Sequence, residues 1–153
     1  MPNLTLIAML IAERITSQSN CRKRQVAFVV FDDKEIIDVA VNEHPEQSPC
    51  QCVPGVHDKE VLHAEQILLN RRKGLMQRPG LKAVVTYAPC LACGEEIARS
   101  TIKTVYVREV KHLQGINHLE LNNVEVRHQW LTPEQRIQAA WQMRWLTNLE
   151  EFY

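Results

Sequence analysis

The 153-residue chain balances 18 Lys and Arg against 18 Asp and Glu, and 45% of its residues are hydrophobic. That is the make-up of one ordinary globular domain, here expected to span residues 1–153 and able to bury its own core. Neutral charge counts against a protein that grips long nucleic acid through its phosphates, but it leaves room for a local basic pocket. No apolar run reaches transmembrane length. The apolar start lacks a basic segment and runs straight into Glu13 and Arg14, unlike a signal peptide. A soluble, cytoplasmic protein is therefore expected.

Residues 4–17 read as a helix, with Leu6, Ile7, Leu10 and Ile11 making an apolar stripe. Residues 25–31 hold the run Val26, Ala27, Phe28, Val29, Val30, the pattern of a strand buried on both faces. Asp32, Asp33 and Lys34 make a turn, and 35–41 return as a second strand. From 42 to 59 the periodicity is lost, and Pro45, Pro49, Pro54 and Gly55 share the segment with two His and two Cys. A loop of that length is usually functional, disordered or tied down, and its Cys and His content points to the last.

A helix over 61–72, a strand over 81–87, a helix over 90–100 and a strand over 103–107 follow. The stretch around Gly115 reads as a loop, and 124–127 as a short edge strand. Thr132, Pro133 and Glu134 open a last helix, with Thr as N-cap, Pro at the first helical position and an acid in the first turn. Its Ile137, Trp141 and Trp145 recur at spacing four, an apolar face that is either core or a subunit contact. Helix, hairpin, then strands alternating with helices imply the α/β class, a three-layer α/β/α sandwich on a mixed sheet.

The chemistry sits in two segments, His63-Ala64-Glu65 and Pro89-Cys90-Leu91-Ala92-Cys93. The five cysteines are odd in number and follow no export signal, so free, metal-bound or catalytic thiols are expected rather than disulfides. Catalytic zinc takes three protein ligands and keeps one position open. Cys90 and Cys93, three apart at a helix start, can face one point, where the helix N-terminus favours thiolates. His63 supplies the third ligand from another helix start. Glu65, two residues on, can lie beside the metal without binding it and move protons, while zinc lowers the pKa of the water it holds. A closed structural zinc site is the rival reading, but it wants a fourth ligand.

H-x-E followed by P-C-x-x-C is the signature of the zinc nucleobase deaminases. At these residues, and over roughly residues 4–127, the chain resembles the cytidine and deoxycytidylate deaminase family. It is most similar to the deoxycytidylate branch: Ser19-Asn20-Cys21-Arg22-Lys23-Arg24-Gln25-Val26-Ala27 resembles the segment before that branch's first strand. Val41-Asn42-Glu43-His44-Pro45 falls at its Tyr-Asn-Gly-x-Pro turn, and Thr86-Tyr87-Ala88 and Ile102-Lys103-Thr104-Val105-Tyr106 complete the match. Ala27 and Glu43 replace glycines and Val41 replaces the turn's tyrosine, all on the side that reads sugar and phosphate.

The resemblance implies a five-stranded sheet with the two motif helices meeting at zinc. It also implies deamination of a cytosine nucleotide, dCMP to dUMP, with nucleotide contacts from Asn42 and Ala64. Arg24 or Lys23 can hold a 5′-phosphate or be part of a solvated basic run. Asn42 alone also reads as a turn former.

Some members of the branch carry a second, structural zinc, and Cys21 with Cys50 or Cys52 matches its cysteines. His57 and Glu60 stand near, but displaced from, its other ligands. Buried or free thiols and a surface His are the alternative. Members assemble as dimers or hexamers, and some respond to dCTP and dTTP, so a homo-oligomer with nucleotide regulation is implied.

Two further readings fit the same motif. One is deamination of bases in RNA or single-stranded DNA, disfavoured by the neutral charge and 6% aromatic content. The other is a non-catalytic zinc-organised binding protein, disfavoured by an intact Glu65. His44, His112, His118 and His128 stand alone in the sequence, which gives them no role.

Overall fold

The computed structural model describes residues 2–21, 24–44 and 61–146. Cys50, Cys52, His57 and Lys23 lie outside them. Helix α1, Leu4–Ile15, is capped by Asn3, whose Oδ1 accepts the Leu6 N–H at 3.2 Å. That supplies a partner to one of the donors a helix start leaves unpaired. Every residue from Leu6 to Ala12 is buried, so α1 is enclosed nearly all round rather than along one stripe.

Strands β1 (Ala27–Phe31) and β2 (Ile36–Val41) form the expected hairpin, closed by Asp32, whose Oδ1 accepts the Lys34 and Glu35 N–H groups. Then come α2 (Ala64–Arg71), β3 (Leu81–Tyr87), α3 (Leu91–Arg99), β4 (Ile102–Glu109), α4 (Gln114–Leu121), β5 (Glu125–His128) and α5 (Pro133–Met143). The sheet order is β2-β1-β3-β4-β5. β1 is antiparallel to both β2 and β3, whereas β3, β4 and β5 run parallel.

Two cores flank this mixed sheet. Phe28, Val30, Ala83 and Val85 face α2, α3 and α4; Ala27, Val29, Phe31 and Val84 face α1 and α5. Because side chains alternate across a strand, β1 must be apolar on both faces, which explains its unbroken hydrophobic run. The molecule is thus a five-stranded α/β/α sandwich. No helix among the described residues is long and apolar enough to cross a membrane.

Three expectations are corrected. The helix expected over 61–72 begins later, because Leu62 is extended and exchanges backbone hydrogen bonds with Glu43 at 2.9 and 3.0 Å. The stretch around Gly115 is helical, with Ile116 and Leu119 buried beneath it. The core alternative for the last helix fails: Ile137, Trp141 and Trp145 are 73%, 59% and 73% exposed, and Ala139, Ala140 and Met143 pack inward.

Helix α5 is fastened to α1 by a polar cluster. The Glu13 carboxylate accepts from Trp130 Nε1 at 2.7 Å and from Arg136 Nη2 and Nε at 2.7 and 2.9 Å. The Arg136 hydrogen bonds hold the Glu13 carboxyl below its ordinary value of 4.5, against the opposing effect of burial. Its stabilisation is therefore full above about pH 4.5 and is lost as pH falls through the lowered folded-state pKa. Glu13→Gln should cost about 1 kcal/mol in urea melts at neutral pH, a modest figure because Arg136 is partly solvated. The gap to wild type should close as the pH falls through the lowered Glu13 pKa; a gap that persists in acid would show the charge to be irrelevant.

Candidate metal centre and active site

The site forms at one end of the sheet, where β3 finishes, β1 begins and β2 ends. This is where open α/β sheets present ligand crevices, beyond the carboxyl ends of parallel strands. His63 caps α2, with φ −75° and ψ 145°, and its backbone N–H donates to Gln66 Oε1 at 3.2 Å. Cys90 caps α3, and its Sγ accepts the Cys93 N–H at 3.5 Å. Two helix N-termini therefore meet at one point, each adding the positive end of its dipole.

His63 Nδ1 lies 3.3 Å from Cys93 Sγ and 3.6 Å from Cys90 Sγ. One ligand atom from each of the three residues falls within 4.8 Å of the others. Zinc bonds of about 2.3 Å to sulfur and 2.0–2.1 Å to nitrogen, at tetrahedral angles, separate N and S by roughly 3.5 Å. The donor set fits zinc in both type and spacing, and three ligands among the described residues would leave a position open.

Of the two cysteines, Cys90 carries the thiolate character. The Cys90 thiol is drawn down to about 3 by hydrogen bonds from Cys93 and His63, and Cys93 is pushed up by sharing its proton with Cys90. His63 is raised by the same contact with Cys90. Glu65, on the first turn of α2, is only 3% exposed. Burial raises its carboxyl above the usual range, so that it holds a proton more readily than a solvated carboxylate.

His63, Glu65 and Cys90 share a cavity of about 310 Å³, within the range of small-molecule sites. Ala64 and Asn42 line it, as do Arg24, Tyr87, Cys21 and His112. Asn42 is heavily engaged: its Oδ1 accepts from Val26 N–H and Ser19 Oγ at 2.8 Å each, and its Nδ2 donates to Arg24 O at 2.7 Å. It ties the end of β2 to the approach to β1 and keeps one amide hydrogen for a ligand. Arg24 lies over the Tyr87 ring, its Cζ 4.0 Å from the centroid. Cys21 is buried beside Val61.

The sequence reading missed Tyr87 and His112 as cavity residues. Tyr87 was within a quoted motif at a strand end, a usable signal. His112 had none, because its place depends on distant packing. That packing is tight: a Cβ on Gly115 would lie 2.1 Å from the Pro89 carbonyl oxygen and 2.7 Å from that of Cys90. A Cβ on Gly94 would likewise meet Gly115 O at 2.9 Å. Only glycines let α4 rest on the cysteine turn. Gly115→Ala should push that turn and weaken zinc by about 10- to 100-fold in chelator competition, as changes behind metal ligands do. Unchanged affinity would show the turn to be independent of α4.

The family model of the cytidine and deoxycytidylate deaminase zinc-binding region matches residues 3–109. The apo crystal structure of dCMP deaminase from cyanophage S-TIM5 is 29% identical, with a TM-score of 0.67, over 83% of this chain and 98% of that one. The complex of that enzyme with dCMP and dUMP gives 0.72 at the same identity, over 83% and 97%. The diaminohydroxyphosphoribosylaminopyrimidine deaminase/5-amino-6-(5-phosphoribosylamino)uracil reductase of Thermotoga maritima shares the fold at 24% identity and a TM-score of 0.55. That likeness covers 92% of this chain and 39% of the other. The comparison with curated proteins returned no match. With the motif model covering well over half its length, and His63, Cys90 and Cys93 gathered where they could hold a metal ion, the chain belongs to the cytidine and deoxycytidylate deaminase family.

Proposed function

We propose that the protein catalyses zinc-dependent hydrolytic deamination of a cytosine nucleotide, with dCMP as substrate and dUMP and ammonia as products. The observation that carries this reading is the buried Glu65 sharing one cavity with His63 and Cys90 of the His63, Cys90 and Cys93 donor group. Likeness to a cyanophage enzyme solved with dCMP and dUMP supports the choice of nucleotide.

Zinc held by His63, Cys90 and Cys93 supplies Lewis acidity and a water of lowered pKa. Glu65 takes the proton from the attacking water and delivers it to the ring nitrogen next to C4. It then relays the second proton to the departing amine, so that the C4–N bond breaks as the C4 carbonyl forms and ammonia leaves. Burial suits Glu65 to both directions of transfer, since its carboxyl binds a proton more readily than a solvated one.

Ala64 begins α2, where backbone N–H groups lack intrahelical partners, and we assign its N–H to the pyrimidine carbonyl. The remaining Asn42 amide hydrogen contacts the nucleotide, and Arg24 at the exposed side takes the 5′-phosphate. Zinc-loaded protein should release ammonia from dCMP faster than from deoxycytidine or a cytosine-containing oligonucleotide. Glu65→Gln should keep its zinc and lose activity by about 10²- to 10⁴-fold, the usual worth of a positioned acid–base group. Full activity in that variant would remove the role of Glu65, and preference for oligonucleotide would redirect the substrate reading.

A further inference from the structure

Helix α5 turns its largest apolar residues away from its own core. Ile137, Trp141 and Trp145 are 73%, 59% and 73% exposed, while Ala139, Ala140 and Met143 pack inward. With 3.6 residues per turn, Glu134, Ile137, Gln138, Trp141, Arg144 and Trp145 fall on one stripe roughly 120° wide. All six are exposed. The helical path carries on through Arg144, at φ −61° and ψ −22°, and the Trp145 N–H still donates to the Gln142 carbonyl at 3.1 Å. The two tryptophans and the isoleucine leave on the order of 400 Å² of side chain in water, the size at which an apolar patch marks an interaction site.

The charges on the stripe say what covers it. There is one acid, Glu134, in the first turn, and one base, Arg144, at the C-cap. Neither forms an ion pair with a described residue. Arg144 lies over the Trp141 ring, its Cζ 4.8 Å from the centroid, and a stacked guanidinium keeps its N–H edge for a carboxylate. The positions are also symmetric. Glu134 with Arg144, and Ile137 with Trp141, have the same midpoint in the sequence, Ala139. A two-fold axis across the helix at that level brings Glu134 of each copy level with Arg144 of the other, and Ile137 level with Trp141. A second copy of this chain, running antiparallel, thus meets acid with base and apolar with apolar.

We propose that the exposed face of α5 is the interface of an isologous homodimer, in which two α5 helices lie antiparallel about a two-fold axis level with Ala139. Trp141 is its central anchor, and the two Glu134–Arg144 pairs flank it and fix its direction. Tryptophan and arginine are the residues that most often carry binding energy at interfaces. The face is at the small end of specific interfaces, so affinity in the micromolar range is expected.

Sedimentation velocity of the full chain over a concentration series tests this. Wild type should associate at protein concentrations below about 10⁻⁴ M. Trp141→Glu should weaken that association by about 30-fold or more, as loss of a buried aromatic anchor does. Glu134→Lys and Arg144→Glu should each weaken it about 10-fold by setting like charges against each other, and the double charge reversal should recover most of the loss. Thermal melting of each variant checks that the fold is intact. A wild-type chain that stays monomeric over this range, whether because its own C-terminal residues or a different protein cover the face, would overturn the proposal. So would a Trp141→Glu chain that assembles as wild type does. Charge reversals whose losses simply add would overturn the antiparallel pairing.

Discussion

The cavity end of the sheet depends on one constraint, the convergence of two helix starts so that His63 Nδ1 lies 3.3 and 3.6 Å from the two cysteine sulfurs. Both helices begin at a candidate ligand, His63 capping α2 and Cys90 capping α3. The residue that ends each extended segment is therefore also the one that presents a metal donor. The unpaired N–H groups and dipoles of the helices favour thiolate there, and Cys90 accepts the Cys93 N–H as part of its own cap.

The rest of the molecule holds that convergence in place. Strand β3 delivers the Pro89–Cys90 turn, and its rigidity comes from burial on both faces between two cores. Thr86 Oγ1 accepts the Ala27 N–H at 3.0 Å, pinning the start of β1 to the end of β3 beside the cavity. Asn42 closes the other side by binding three partners from the approach to β1. On the far side of the cysteine turn, α4 approaches so closely that glycine is required at 94 and 115.

Much of this was legible in the sequence, and the exceptions have physical causes. The run from Val26 to Phe31 announced a doubly buried strand because each of its residues meets one of two cores. The metal residues were legible because ligand type and helix-start position coincide. Helix α4 was not, since Leu113 offers no side-chain cap and a glycine stands in the first turn. The inward face of α5 was hidden because alanines at 139 and 140 carry little hydrophobic signal, while the louder Ile137, Trp141 and Trp145 face solvent. His112 could not be found by spacing, because the contact that brings it to the cavity links residues far apart in sequence. For the second, structural zinc, Cys21 is buried beside the cavity, and Cys50, Cys52 and His57 lie outside the described residues.

The most direct measurement is a crystal structure of the zinc-loaded protein with dUMP. The expected result is zinc within about 2.0–2.3 Å of His63 Nδ1 and both cysteine sulfurs, with its fourth position facing the cavity and Glu65 beside the pyrimidine without binding the metal. A fourth protein ligand closing that position, or zinc bound elsewhere with these three side chains free, would contradict the assignment of this site to catalysis.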